Sequence, residues 1–317
     1  MTVAAEATAH RSRRRPPRTK RLAQALVPYL LILPVIVVIT AILGYPLYKL
    51  VTLSFQQYGL AELIQRKGVW IGLDNYSSVL HDEVFWRVLL RTVIFTAANV
   101  VLTIGLGTLI AFLLVRVSTV VRVLLTAGLV LVWSMPAVVA VQVWYWMTNF
   151  QNGILNHVLT QLHVGDYTQH DWYGTPFWQL TMVTLLIVWG AIPFVTITVY
   201  AGLAQVPREL VEAAEIDGAG PIRVFRDVTF PVLRPILLIL TSLSIIWDFG
   251  VFTQPYLLIG KEHLDASNYV MGVYVFIEGY LKNDYGRGAA ISLLMLLMVA
   301  AMSIFYVRRM VKMGDAR

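Results

Sequence analysis

Asp248 is the one acidic residue inside the long apolar runs of this chain, and Trp247, Phe252, Gln254 and Tyr256 surround it in sequence. A carboxylate among apolar neighbours is costly unless it faces a polar interior or a partner. Two uses fit. It accepts hydrogen bonds from ligand hydroxyls while Trp247, Phe252 and Tyr256 offer flat apolar faces, or it pairs with a polar group on a neighbouring helix. Asn99 and Gln142 interrupt other apolar runs in the same way and are expected to face a bundle interior.

A second constellation is the acid-rich segment Glu209-Leu210-Val211-Glu212-Ala213-Ala214-Glu215-Ile216-Asp217-Gly218, set between two apolar runs. Pro207 suits the first turn of a helix, Glu209 and Glu212 near that end complement its dipole, and Gly218 supplies a left-handed residue to close it. The small Ala213 and Ala214 permit close approach of another surface. A break at Gly220-Pro221 starts a further short piece whose Val224, Phe225, Val228 and Phe230 are expected to pack beneath the next apolar run, giving a helix–turn–helix along the membrane face. An interfacial helix that merely touched lipid would carry mostly Lys and Arg on its polar face. Four acids there argue for a docked protein.

Catalytic signatures are missing. No Gly-x-x-x-x-Gly-Lys-Ser/Thr loop occurs, because Gly260-Lys261 lacks the upstream glycine and the hydroxyl residue, so no phosphate cradle for ATP is expected. His-Glu-x-x-His and Gly-x-Ser-x-Gly are also absent from the sequence. Gly105-Leu106-Gly107 lies within an apolar run, where glycine serves close helix packing. His157, His163 and His170 have no accompanying carboxylate pattern and read as solvated side chains rather than metal ligands. The absence of cysteine excludes thiolate chemistry, disulfides and cysteine-ligated metals. Asn75-Tyr76-Ser77 matches a glycosylation acceptor in three residues only, a pattern common by chance.

The elements that must position these groups are membrane helices. Hydrophobic residues make up 58% of the 317, more than a soluble domain carries. Runs near 26–48, 93–115, 122–147, 178–202, 233–257 and 289–307 hold few or no charges over about 18 to 25 residues, the length that crosses a hydrocarbon core of ~30 Å. In lipid the backbone must satisfy its own hydrogen bonds, so helices are expected and barrel strands are not.

Lys and Arg then set the orientation. The tail cations Arg11, Arg13, Arg14, Arg15, Arg18, Lys20 and Arg21 share a side with Arg116, Arg122, Arg208, Arg223, Arg226, Arg234, Arg308, Arg309, Lys312 and Arg317, outnumbering the other side by two to one. By the positive-inside rule both termini and the acidic segment are cytoplasmic. The basic tail, 1–24, reads as a topology determinant in contact with anionic lipid rather than a nucleic-acid arm. Its apolar continuation is too long for a cleaved signal. Beyond it come a first helix with an extracytoplasmic segment over 25–87, a core over 88–310 that contains the loop 205–231, and a short cytoplasmic tail over 311–317.

The spacing Glu212-Ala213-Ala214, three residues, Gly218, nine residues, Val228-x-Phe230-Pro231 resembles the EAA loop of binding-protein-dependent ABC importer permeases, with Val and Phe where that family usually has Ile and Leu. The resemblance extends over nearly the whole chain after the basic tail. Gly72-Leu73-Asp74-Asn75-Tyr76, Phe85-Trp86, Phe95-Thr96, Pro136, Trp144, Gly153-Ile154-Leu155-Asn156, Trp189 with Pro193-Phe194, and Tyr285-Gly286 with Ala289-Ala290-Ile291-Ser292 are similar to the carbohydrate subgroup. Trp247-x-Phe249-x-x-Phe252-x-x-x-Tyr256-x-Leu258 continues it. Two departures stand out: Phe252-Thr253 replaces a usual Phe-Asp, and Leu258-Ile259-Gly260-Lys261-Glu262-His263 replaces Leu-Thr-x-Gly-Gly-Pro. The ending Tyr306-Val307-Arg308-Arg309-Met310 resembles the first of the two maltose-transporter permease types.

The resemblance implies an all-α membrane protein, a six-transmembrane-helix bundle of the ABC importer type I permease fold in the cell membrane. It implies a non-catalytic subunit of an ATP-driven importer for a carbohydrate, with ATP and Mg bound by partner subunits and no cofactor on this chain. The partners implied are a second homologous permease, two copies of an ATPase and an extracytoplasmic solute-binding protein; no nucleic acid is expected. Glu209, Glu212, Ala213, Ala214, Asp217, Gly218 and Pro231 would dock the ATPase in a helix-in-groove mode, with Gly218 permitting a turn that a side chain would obstruct. Asn99, Gln142, Trp247, Asp248, Phe252, Gln254 and Tyr256 would line the substrate path. The Trp-Asp-Phe…Phe-Thr-Gln variant points to an oligosaccharide of the chitobiose or cellodextrin kind, the alternatives being another solute such as glycerol phosphate or a polyamine. A secondary transporter, which would need ionisable relays or broken helices at mid-membrane, is the rival class. An intramembrane enzyme would need a catalytic constellation, and the sequence offers none.

Overall fold

The computed structural model describes residues 18–260 and 263–314. The tail residues Arg11, Arg13, Arg14 and Arg15, the Lys261-Glu262 departure and Arg317 lie outside the described residues. The described chain runs α1 (Arg18–Ile39), a π turn (Thr40–Gly44), α2 (Tyr45–Ser54), β1 (Gln56–Gln57), α3 (Leu60–Gln65), β2 (Val69–Trp70), α4 (Asp74–Leu80), α5 (Glu83–Arg116), α6 (Thr119–Trp133), α7 (Ala137–Met147), α8 (Ile154–Gln161) and α9 (Pro176–Leu203). It continues as α10 (Arg208–Ile216), α11 (Pro221–Val224), a π turn (Phe225–Thr229), α12 (Phe230–Phe249), α13 (Thr253–Ile259), α14 (Met271–Phe276), a π turn (Ile277–Leu281) and α15 (Tyr285–Gly314). The described residues up to Thr52 and those from Leu53 onward form two compact units. In the first, the apolar side chains from Tyr29 to Leu43 are exposed, as lipid-facing residues are.

Among the described residues, five helices are long and apolar enough to cross a bilayer: Tyr29–Ser54, Glu83–Arg116, Pro176–Leu203, Pro221–Phe249 and Tyr285–Arg309. The bent pair Thr119–Trp133 and Ala137–Met147 makes a sixth if taken as one span. The run expected over 122–147 is therefore not straight: it bends by 101° at Ser134–Pro136. A proline pushes the residue before it out of the helical region, and here it stands as the N-cap of α7. The run expected over 233–257 also differs. Its helix stops at Phe249, and α13 follows as a separate piece. Nor do Val224, Phe225, Val228 and Phe230 form a piece tucked beneath the span. They belong to its own first turns, because α11, the π turn and α12 run on as one helix from Pro221.

Within the second unit α5, α9 and α12 form the frame, and α5 against α9 is its most extensive pairing. Small residues set the crossings. A Cβ on Gly107 of α5 would lie 2.6 Å from Val195 Cγ1 on α9, and one on Gly202 of α9 would lie 2.5 Å from Ile236 Cδ1 on α12. Without those methyl groups the backbones approach closely, which is how helices gain packing energy in lipid. Thr196 Oγ1 donates to the Gly107 carbonyl at 3.2 Å across the first crossing. Ala111, Val195, Val199, Leu233 and Leu240 fill the core between the three helices.

Candidate functional site

Three interruptions of membrane helices meet at one cavity of about 400 Å³. The first is the α6–α7 bend, which contributes Val132, Trp133, Met135 and Ala137. The second lies within α9, where Pro193 has no N–H for the Trp189 carbonyl; Trp189, Gly190, Ala191 and Phe194 line the wall there. The third is the gap between α12 and α13, which contributes Trp247, Asp248, Val251, Phe252, Thr253 and Gln254. Irregular backbone at membrane depth is tolerated where it lines a cavity rather than lipid, and the volume falls within the ~300–1,000 Å³ of small-ligand sites.

Asp248 is 7% exposed. Its carboxylate makes no hydrogen bond or ion pair with any described residue. Aromatic rings share the cavity wall with it. Trp133 stacks on Phe194 at 6.0 Å between centroids, Phe194 lies 5.7 Å from Trp247, and Trp189 lies 6.1 Å from Trp144. An unsatisfied acceptor among flat apolar faces suits a ligand with hydroxyls on its edges and C–H groups on its faces.

Of the seven path residues expected from sequence, this cavity gathers Trp247, Asp248, Phe252 and Gln254. Gln142 lines a second cavity of about 600 Å³ on the other face of α7 and α13, with Tyr145, Asn149, Asp171, Tyr173 and His263. Tyr256 lies on neither wall; it stacks on Phe252 at 4.9 Å and meets Phe276 at 5.1 Å. Asn99 lines neither cavity. It is fully buried midway along α5, and neither its Oδ1 nor its Nδ2 has a partner among the described residues.

The acidic segment forms α10, with Pro207 as N-cap and Glu209 in the first turn. Its end is a Schellman turn: Gly218 adopts φ +79°, Ala219 N donates to the Ala214 carbonyl at 2.9 Å, and Gly218 N donates to the Glu215 carbonyl at 3.0 Å. Every residue of α10 keeps solvent exposure, and Leu210, Ile216 and, beyond the turn, Ile222 stand bare. Glu209, Glu212, Glu215 and Asp217 have no ion pair among the described residues; the nearby pairs are Arg223–Asp227 at 3.7 Å and Arg226–Asp227 at 3.9 Å. Behind α10 a cleft of about 670 Å³ opens toward Arg116, Arg122 and Tyr200. Phe225 meets Phe112 of α5 edge-on at 5.6 Å, so the loop is tied to the frame.

The model of the family described as "Binding-protein-dependent transport system inner membrane component" matches residues 103–311. The chain belongs to this family. It is 44% identical over 298 residues to the diacetylchitobiose uptake system permease protein DasB of Streptomyces coelicolor, covering 94% of this chain and 90% of that one. Identity to the trehalose/maltose transport system permease protein MalF of Thermococcus litoralis is 31% over 286 residues, covering 90% and 94%. Among solved structures, a bacterial ABC transporter involved in the import of the acidic polysaccharide alginate superposes with a TM-score of 0.78 at 18% identity, covering 93% of this chain and 98% of that one. The protein is thus the permease component of a binding-protein-dependent transport system, a multi-pass protein of the cell membrane with the fold of an ABC importer permease.

Two polar networks of this permease carried little signal in sequence. Arg287 reaches Asp82, Ser78 and Glu278, Lys282 reaches Glu278 at 2.7 Å, and Tyr274 donates to Asp82 at 3.2 Å, which joins α4, α5, α14 and α15. The other network crowns the Gln142 cavity. Tyr173 and Thr148 share a hydrogen bond of 2.7 Å, Gln179 donates to the Tyr173 carbonyl, and Asn268 donates to Gln179. Burial pushes the Tyr173 hydroxyl up to about 12. His170 is packed edge-on against Trp172 at 4.5 Å and Trp178 at 5.8 Å. Asn75 spends its amide on the carbonyls of Ser54 and Gln56, at 3.0 and 2.9 Å, which gives it a structural use in place of the acceptor pattern.

Proposed function

We propose that this permease carries a short neutral oligosaccharide, of the N-acetylated disaccharide class that its relative from Streptomyces is named for, through the cavity at Asp248. The observation that carries the reading is the meeting of three helix interruptions around one carboxylate that no described residue satisfies. Sugar hydroxyls supply the missing donors, and the rings of Trp133, Trp189, Phe194 and Trp247 supply stacking faces. The Gln142 cavity then serves as the outer vestibule and α10 lies on the cytoplasmic face, in keeping with the distribution of Lys and Arg.

In this reading α10 seats in a groove of a separate ATPase, and a second permease completes the pathway. The support is the set of four acids without ion pairs beside the bare Leu210 and Ile216. Such a surface suits a groove with basic rims and an apolar floor. A solute-binding protein delivers the sugar on the outer side; a bacterial alginate ABC transporter has been solved in complex with a periplasmic protein of this kind, itself bound to an alginate pentasaccharide. Broken apolar helices, which the rival secondary-transporter class would also have, are present, but family membership and the acidic loop favour an ATP-driven importer.

Two substitutions test the two halves in the reconstituted complex. Glu212→Lys is expected to lose the co-purifying ATPase and uptake together. Asp248→Ala is expected to keep the ATPase and lose at least tenfold in sugar uptake. A full complex with normal uptake in the first variant defeats the docking reading, and unchanged uptake in the second removes Asp248 from the path.

A further inference from the structure

We infer that Asp248 acts as a charge filter, making the pathway selective for uncharged sugars over those bearing a carboxylate, sulfonate or phosphate; the inference rests on the cargo path proposed above. Among the described residues Asp248 is the only ionisable side chain on the cavity wall, and no Lys, Arg or His lines it. Fixed backbone charge does not offset it. The C-terminal ends of α6 and α12 reach the cavity at Trp133 and Asp248, and the N-terminal ends of α7 and α13 reach it at Ala137 and Thr253, so two negative and two positive helix ends oppose one another.

Size enforces the encounter. A disaccharide fills much of a cavity of about 400 Å³, so an anionic substituent cannot stay far from the carboxylate. With Asp248 ionised, at a separation of about 6 Å and an effective dielectric constant of about 20, the repulsion of two unit charges corresponds to roughly a hundredfold discrimination. No described cation on the wall relieves it. A neutral sugar instead donates hydroxyl hydrogens to the same oxygens, so one group attracts the permitted cargo and rejects the forbidden one.

The test uses the full complex in proteoliposomes and two probes: diacetylchitobiose and the acid formed by oxidising its reducing end to a carboxylate. Each is presented on saturated binding protein, so that selection by the binding protein is separated from selection by the permease. Wild-type protein is expected to carry the neutral probe at least tenfold faster. Asp248→Asn, which keeps hydrogen-bonding atoms and removes charge, is expected to shrink that ratio about tenfold, and Asp248→Glu to preserve it. A ratio near one in the wild type, or an unchanged ratio in Asp248→Asn, overturns the filter. Should Asp248→Asn fail to assemble, Gln254→Lys places a cation on the same wall, and absence of any gain in acid uptake overturns the filter equally. A wild type that does not carry diacetylchitobiose counts against the proposed cargo class alone; the filter is then read from maltose and maltobionate with the same variants.

Discussion

Gly218 offers a clean test of what the acidic loop requires. Its φ of +79° belongs to the left-handed region, and a Cβ built there meets nothing within 4 Å. A side chain at this turn is therefore opposed by backbone conformation and not, within this chain, by want of space. Left-handed backbone costs an L-residue roughly 1–2 kcal/mol, with asparagine among the least penalised and β-branched residues among the most. The series Gly218→Asn, Gly218→Ala and Gly218→Val is expected to cost about 0.5, 1 and 2 kcal/mol in the population of the Schellman-closed loop. Because no residue of α10 is buried, that cost falls on the loop and not on the bundle. ATPase activity stimulated by sugar-loaded binding protein should fall about twofold, fivefold and thirtyfold at limiting ATPase subunit, with no change in the thermal midpoint of the bundle. Equal losses for Asn and Val would mean that a Cβ meets the docked partner, and no loss for Val would mean that the left-handed turn is dispensable. Either result refutes the conformational argument.

Other outcomes follow from the same geometry. Gly107→Ala drives a methyl group to 2.6 Å from Val195 Cγ1 and is expected to destabilise the bundle by about 1–3 kcal/mol, less the gain in helix propensity, in thermal unfolding in detergent; adding Val195→Ala should restore most of the loss. Arg287→Ala leaves the buried Glu278 with Lys282 alone and Asp82 with the Tyr274 hydroxyl but no cation, and should cost about 3 kcal/mol, whereas Lys282→Ala, whose side chain is 60% exposed, should cost at most about 1 kcal/mol in the same assay. Tyr173 titrates near 10.0 when unfolded and at about 12 when folded, so the folded state holds its proton more tightly. Stability from this group is full below pH 10 and is lost as pH rises toward 12, by up to roughly 2–3 kcal/mol, and Tyr173→Phe should flatten that alkaline slope in unfolding measurements.

Much of the site was legible because it breaks a local rule. A carboxylate in an apolar run has few reasons to be there, and Asp248, with Trp247, Phe252 and Gln254 beside it, lines the cavity. The exposed acidic helix and its left-handed end were legible for the same reason, the acids and Gly218 being incongruous between two spans. Trp133, Trp189 and Phe194 were not legible as lining residues, since an aromatic ring in a membrane helix carries no mark of whether it faces lipid, a neighbour or a cavity. The rule that found Asp248 also singles out Asn99, which lines neither cavity. Both are polar in apolar runs, but Asn99 lies on the face of α5 enclosed by packing, a distinction that only the arrangement of helices makes. Hydropathy counted the third and fifth runs as plain spans because bends do not change composition. Pro136 was the available signal for one bend, and the break at Gly250 and Val251 before α13 left none as strong.

The two halves of the proposed function are joined by one element. The helix that begins at Pro221, immediately after the docking turn, ends at Phe249, with Asp248 in its last turn. Its length of 29 residues corresponds to about 44 Å at 1.5 Å rise per residue, enough to cross the bilayer. Near its start Phe225 bears on Phe112 of α5, and Leu233 and Ile236 bear on Gly202 of α9. In the proposed reading, a displacement of α10 by the ATPase acts near one end of a lever whose other end carries the carboxylate of the cavity wall. The close crossing at Gly202 is the natural pivot, because methyl-free contact allows neighbouring helices to rotate without opening a void. At the far end the break before α13 uncouples the lever from the vestibule wall, so Asp248 can shift relative to Gln142 without dragging Leu257, Leu258 and Ile259 with it. In the proposed cycle the helix interruptions therefore serve two ends at once: they open polar space for a sugar, and they let that space change its walls one side at a time.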